Sequence, residues 1–94
     1  MPTAIQSALD QISVDRIRRR LDRLSEIGAT ADGGVSRPAY SDAETEAFEY
    51  IRDLLSGEYT VEEDSVGNLI ATRAPEADRS IYTGSHLDTV FNGG

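Results

Sequence analysis

The sequence predicts an α/β fold in which helices come first and strands follow. Apolar residues repeat at helical spacing through residues 3–27 and again through 42–56. Short strand-like runs follow at 59–63, 69–73 and 81–85, separated by turn-forming residues. No helical pattern closes the chain, so two helices and about three strands look like the opening of an α/β domain rather than a complete one.

The first helical segment, residues 3–27, is expected as one helix or as two consecutive pieces. Ser13 is placed as an N-cap inside it, and Gly28 follows its last residue. We interpret its arginine-rich face as solvated and paired with nearby carboxylates, with an anion site as the alternative. That face carries Arg16, Arg18, Arg19, Arg20 and Arg23.

A loop of 14 residues, 28–41, connects the two helical segments and is long for an idle connection. Ser41 and Glu44 have the spacing of a capping box, which predicts that the second helix begins at residue 42. Gly57 is expected to end this helix at about residue 56.

The first two strand-like runs are predicted to form a hairpin, because only the turn-forming residues 64–68 separate them. Residues 74–79 read as an exposed connection. The third run, 81–85, is predicted as a strand that leads directly into His86, the only histidine of the chain.

The composition and net charge of the chain argue against some classes of function. The net charge of −8 and the pI near 4.4 argue against binding nucleic acid or an anionic membrane surface. All nine basic residues are arginine, which suggests a high-salt cytoplasm, with a GC-rich coding bias as the alternative. The chain has no cysteine, which excludes disulfides, thiolate zinc sites and a cysteine nucleophile. It has no signal-peptide pattern and no apolar run of membrane-spanning length, so a cytoplasmic location is expected.

His86 and Asp88 form a His-x-Asp pair at the end of the predicted third strand. In an extended segment these two side chains share a face, so the aspartate can reach the ring nitrogen that does not bind metal. The alternative is a surface histidine next to an aspartate that caps a turn. One histidine and one aspartate cannot hold zinc alone, because zinc takes three or four protein ligands.

Four stretches together resemble a known family. Residues 84–94, Gly-Ser-His-Leu-Asp-Thr-Val-Phe-Asn-Gly-Gly, resemble the first metal-site motif of the zinc-dependent aminoacylase and carboxypeptidase superfamily. The loop 28–41, the helix that follows it from Asp42 and the turn 64–69 are similar to segments of its hydantoinase/carbamoylase branch, which includes N-carbamoyl-L-amino-acid hydrolases and allantoate amidohydrolases. The resemblance covers roughly residues 12–94.

The resemblance implies a mixed-sheet metallo-amidohydrolase catalytic domain, with residues 1–94 as its N-terminal, metal-binding part. His86 would be a metal ligand and Asp88 the catalytic-site aspartate behind it. Two divalent metals, zinc first and manganese, cobalt or nickel as alternatives, would activate water and polarise the carbonyl of an N-carbamoyl or ureido substrate.

The resemblance also implies what the chain lacks. The remaining metal ligands, the general base and the dimerisation domain of a homodimeric enzyme are expected beyond Gly94. We therefore expect the 94 residues alone to be inactive and to bind zinc weakly at best. Two other hypotheses remain open: a non-catalytic truncated remnant or interaction module, and a plain acidic α/β domain in which His86 is incidental.

Overall fold

The computed structural model describes residues 3–93, which form three helices and one two-stranded antiparallel sheet. An α/β fold is thereby confirmed. The elements are α1 (Ala4–Asp10), α2 (Val14–Glu26), α3 (Asp42–Leu55), β1 (Thr60–Glu63) and β2 (Leu69–Thr72). None of the helices in this part of the chain is long and apolar enough to cross a bilayer.

The first helical segment forms as two pieces, one of the two forms that the sequence predicted. Ser13 separates α1 from α2, and its hydroxyl accepts a hydrogen bond from Arg16 N at 3.2 Å. The N-cap predicted there is therefore confirmed. Gly28 follows α2 with a φ of +85°, and a Cβ on this residue would lie 2.6 Å from the carbonyl oxygen of Ser36, so glycine both ends the helix and lets the returning loop approach.

Helix α3 begins with the predicted capping interaction, in a slightly different form. The Ser41 hydroxyl accepts from Glu44 N at 3.2 Å. The Glu44 carboxylate accepts from the backbone N–H of Tyr40 at 2.8 Å, rather than from that of Ser41. Two otherwise unpaired donors at the start of the helix are thus satisfied.

Strands β1 and β2 pair as the predicted hairpin, in the register that places Val61 opposite Ala71. Helix α3 packs on both strands, and Arg52 near its end pairs with Glu63 of β1. The hydrophobic core of the described residues is small, since it consists of Ile27 and Ala47.

The third predicted strand is absent, and that prediction was wrong. Residues 81–85 make no backbone–backbone hydrogen bond within the described part of the chain, and the side chains of Ile81 and Tyr82 are 101% and 90% exposed. A strand exists only when a neighbouring strand satisfies its N–H and C=O groups, and neither β1 nor β2 pairs with this segment. The order is therefore three helices and two strands, rather than two helices and three strands.

Candidate functional site

His86 and Asp88 lie together in the segment that follows the hairpin, without a strand to hold them. The ring nitrogen Nδ1 of His86 is 3.3 Å from the Asp88 carboxylate oxygen Oδ1. It also makes a 3.0 Å hydrogen bond with the main-chain oxygen of Asp88. The sequence predicted the contact with the carboxylate but not the one with the carbonyl.

These two contacts assign the histidine tautomer. The main-chain oxygen of Asp88, which bonds to Nδ1, can only accept, and the nearby Oδ1 also favours a proton there, so Nδ1 of His86 carries the proton and Nε2 keeps its lone pair when the ring is neutral. The His86 side chain is 80% exposed and that of Asp88 is 44% exposed. The arrangement leaves one imidazole nitrogen open to a metal ion or a proton, with a carboxylate behind the ring.

The pair lines a cleft of about 260 Å³ between the start of α3, the hairpin turn and the segment 85–88. Glu44 and Phe48 of α3 form one wall, and the turn residues Val66 and Gly67 form another. The cleft combines carboxylates, an imidazole and aromatic carbon, which suits a small polar substrate.

Tyr40 borders this cleft and was not singled out by the sequence analysis. Its φ of +63° lies in the left-handed region, which costs energy for a residue with a side chain. The conformation is held at both ends: Tyr40 N donates to Glu44 at 2.8 Å, and its hydroxyl donates to the carbonyl of Val66 at 3.0 Å. The position of Tyr40 immediately before a capping serine was the one available signal.

Asp64 organises the hairpin turn at the opposite wall. Its carboxylate accepts from Val66 N at 3.0 Å, from Asn68 N at 2.8 Å and from the Asn68 side-chain amide at 2.7 Å. These bonds, that of the Asn68 side chain first, lower the pKa of Asp64 below its ordinary value of 3.8. The carboxylate of Asp64 thus joins three donors of the predicted turn at 64–68.

The loop 28–41 runs beside the segment that carries His86. Val35 and Gly93 exchange two backbone hydrogen bonds of 2.7 Å, and the Thr30 hydroxyl donates to Asn92 at 2.6 Å. The structure thus brings this loop against the segment 84–94, another of the four stretches that carried the family resemblance. Gly94, the last residue of that motif, lies outside the described residues.

Arg37 of this loop is the second residue that the sequence did not point to. It is 7% exposed, and its guanidinium donates to main-chain carbonyls of α2 and of Leu87. Only the constraint that Pro38 places on Arg37 was visible in the sequence, because its partners are distant in the chain.

A complete metal site is not present within residues 3–93, since no three histidine, cysteine or acidic side chains there could hold one ion. Within these residues, His86 and Asp88 could serve as one histidine ligand and the carboxylate that orients it.

Comparison with known proteins identifies relatives of this chain. The chain is 40% identical over 86 residues to an N-carbamoyl-L-amino-acid amidohydrolase of Pseudomonas sp. (strain NS671), covering 88% of this chain and 21% of that protein. It is 36% identical over 87 residues to an N-carbamoyl-L-amino acid amidohydrolase of Geobacillus stearothermophilus, with the same shares of 88% and 21%. An allantoate amidohydrolase of Bacillus subtilis (strain 168) is 40% identical over 80 residues, which is 79% of this chain and 19% of that protein.

The chain thus spans about a fifth of the length of these curated relatives. No family model matches the chain, and no solved structure matches it either. The resemblance inferred from the four stretches of sequence is confirmed by the relatives.

Proposed function

We propose, from the homology of this chain to the N-carbamoyl-L-amino-acid and allantoate amidohydrolases, that it forms the N-terminal, metal-binding part of the catalytic domain of a metal-dependent amidohydrolase. The whole protein would hydrolyse the C–N amide or ureido bond of an N-carbamoyl amino acid or a related ureido compound. The observation that carries the proposal is the contact of His86 Nδ1 with Asp88, because it leaves Nε2 open to a metal.

In this proposal His86 is a metal ligand, and Asp88 is the catalytic-site residue that orients it and increases the basicity of Nε2. The proposed cofactor is a pair of divalent ions, zinc first and manganese, cobalt or nickel as alternatives, which activate water and polarise the carbonyl when bound. One histidine supplies one ligand, whereas zinc takes three or four. The described residues therefore form part of a site, and we expect the chain alone to be inactive.

We further propose that the whole protein is a homodimer, with a dimerisation domain that lies outside this sequence. A cytoplasmic location and a high-salt setting remain predictions from composition.

A chimera tests the proposed activity. Residues 3–93 would replace the matching segment of the Pseudomonas amidohydrolase, and release of ammonia from an N-carbamoyl amino acid would be measured. We expect the chimera to be active and His86→Ala to lower its kcat/KM by about 100-fold or more, as loss of a metal ligand does. Gln6→Ala, a change in the exposed helix α1, is the matched control. Full activity of the His86→Ala chimera would contradict the proposal.

A second candidate, a non-catalytic module that docks on another protein, is favoured by the exposed apolar stripe of α1 and α2 and by the unpaired edges of the β1–β2 hairpin among the described residues. Sedimentation of the isolated chain distinguishes this docking module from a part of a larger amidohydrolase. A compact monomer fits an autonomous module, whereas an expanded or aggregating chain fits part of a larger enzyme.

A further inference from the structure

Arg37 is the one buried charged side chain of the described residues, and every bond of its guanidinium goes to the main chain. Nη1 donates to the carbonyl of Leu24 at 2.7 Å and to that of Ile27 at 2.9 Å. Nε donates to the carbonyl of Leu87 at 2.7 Å. Carbonyls at the C-terminal end of α2 carry partial negative charge, so they stabilise the buried cation.

The backbone of Arg37 makes two further bonds to the same segment. Arg37 N donates to the Thr89 hydroxyl at 2.9 Å, and Thr89 N donates to the carbonyl of Arg37 at 2.7 Å. Asp88 therefore lies between two peptide groups that are both held by Arg37, one through Leu87 and the other through Thr89.

This arrangement directs the carbonyl of Asp88. The N–H of Thr89 and the C=O of Asp88 belong to one trans peptide group and point in opposite directions. When the N–H is bonded to Arg37, the C=O must point away from Arg37. On that side it meets Nδ1 of His86 at 3.0 Å.

We propose that Arg37 is a positioning residue for His86: it fixes the two peptide groups that flank Asp88, and through them it fixes the His86 tautomer with the proton on Nδ1. His86 itself is exposed, and its ring has no other hydrogen bond within the described residues. The C-terminal end of α2 is thus connected to the imidazole by Arg37, Leu87 and Asp88. This inference rests on the same His86–Asp88 contact as the proposed function and adds the role of Arg37, so a failure of the Arg37 variants would leave the proposed function standing.

Nuclear magnetic resonance of the imidazole nitrogens tests the inference directly, because the chain has a single histidine. At about pH 9, where histidine side chains are uncharged, we expect the Nδ1–H form to dominate in the unchanged chain. Arg37→Lys keeps the charge but loses the planar set of donors. We expect it to lower the ratio of the Nδ1–H to the Nε2–H form by about 3- to 10-fold, and Arg37→Leu to lower it at least as far.

Arg20→Lys, on the exposed face of α2, is the matched control and should leave the ratio unchanged. An unchanged ratio in Arg37→Lys, with its helical circular dichroism intact, would overturn the inference. If both Arg37 variants lose their helical signal, solvent exchange of the Arg37 Nε–H in the unchanged chain decides. Exchange at least about 10-fold slower than that of Arg20 supports a guanidinium held against Leu87, and equal rates overturn it.

Discussion

At the residue scale, Asp64 shows how one ionised side chain holds a wall of the cleft. Its pKa is lower in the folded chain than the ordinary value of 3.8, first because of the hydrogen bond from the Asn68 side chain. A lowered pKa means that the ionised form stabilises the fold. That contribution is fully present above the ordinary value and is lost as the pH falls through the lowered one.

We therefore predict that acid loosens the hairpin turn before it affects the helices. The protection factors of the Val66 and Asn68 amides, which are exchange rates corrected for the intrinsic pH dependence, should fall below about pH 4, as measured by nuclear magnetic resonance. In Asp64→Asn, this fall in protection below pH 4 should disappear, because no carboxylate remains to be protonated. Identical pH profiles in the two chains would contradict this role of Asp64.

Tyr40 makes a second prediction at this scale. Tyr40→Phe removes the hydrogen bond from the hydroxyl to Val66 but keeps the ring and the backbone bond to Glu44. Because the site is exposed, we expect a loss of about 0.5–1 kcal/mol in the local opening free energy of the turn, measured by amide exchange at Gly67. Tyr82→Phe, in an exposed segment, is the control. No change at Gly67 would show that the hydroxyl does not hold the turn.

The proximity of His86 to Asp88 could be predicted from the sequence because two residues of chain separate them. The roles of Arg37 and Tyr40 could not. The guanidinium of Arg37 meets Leu87 fifty residues away, and the hydroxyl of Tyr40 meets Val66 twenty-six residues away. Spacing patterns carry no information about partners at such separations.

At the element scale, the predictions were right where an element forms through interactions between residues that are close in sequence. The helices and the hairpin are local: Ser13 and Ser41 cap helices within three residues, and the hairpin closes across one short turn. The strand predicted at 81–85 needs a partner from elsewhere, and none of the described strands provides one. Alternation of apolar residues alone could not show this.

The contact between the loop 28–41 and the end of the chain is an element-scale feature that a single methyl group should disrupt. A Cβ on Gly34 would lie 2.6 Å from the side-chain oxygen of Asn92 and 3.0 Å from the Gly93 carbonyl. We predict that Gly34→Ala separates the two segments at a cost of about 1–3 kcal/mol.

Loss of amide protection at Val35 and Gly93 would report that separation. Gly57→Ala is the matched control, because a Cβ there meets nothing within 4 Å. Unchanged protection in Gly34→Ala would contradict the pairing of Val35 with Gly93.

At the scale of the whole molecule, the chain exposes more surface than a self-contained domain of its size. Its accessible surface is 7736 Å², whereas folded monomers of 10.2 kDa have about 5,300 Å². Its radius of gyration is 15.8 Å, against about 12 Å for a compact domain of this length. Large apolar side chains are among the exposed residues, and they include a stripe on α1, α2 and the link between them formed by Ile5, Leu9, Ile12, Ile17 and Leu21.

This stripe predicts binding of a hydrophobic fluorescent dye by the isolated chain. Replacing Leu9 and Leu21 together by glutamine should lower the dye fluorescence by about half, since both side chains are more than half exposed. The helical circular dichroism should remain. Replacing Arg19 and Arg20 by glutamine is the control for the polar face. Equal dye binding by the leucine variant would show that the stripe is not an exposed apolar surface.

The central claim is that His86 presents Nε2 as one ligand of an incomplete metal site, and zinc titration of the chain tests it. Calorimetry should show weak zinc binding, far weaker than the roughly nanomolar affinity of complete structural zinc sites. Nuclear magnetic resonance of the His86 ring should show that the zinc binds through Nε2. His86→Gln should abolish that binding, and Asp88→Asn should weaken it. Tight zinc binding by the chain, or binding that His86→Gln leaves unchanged, would contradict the claim.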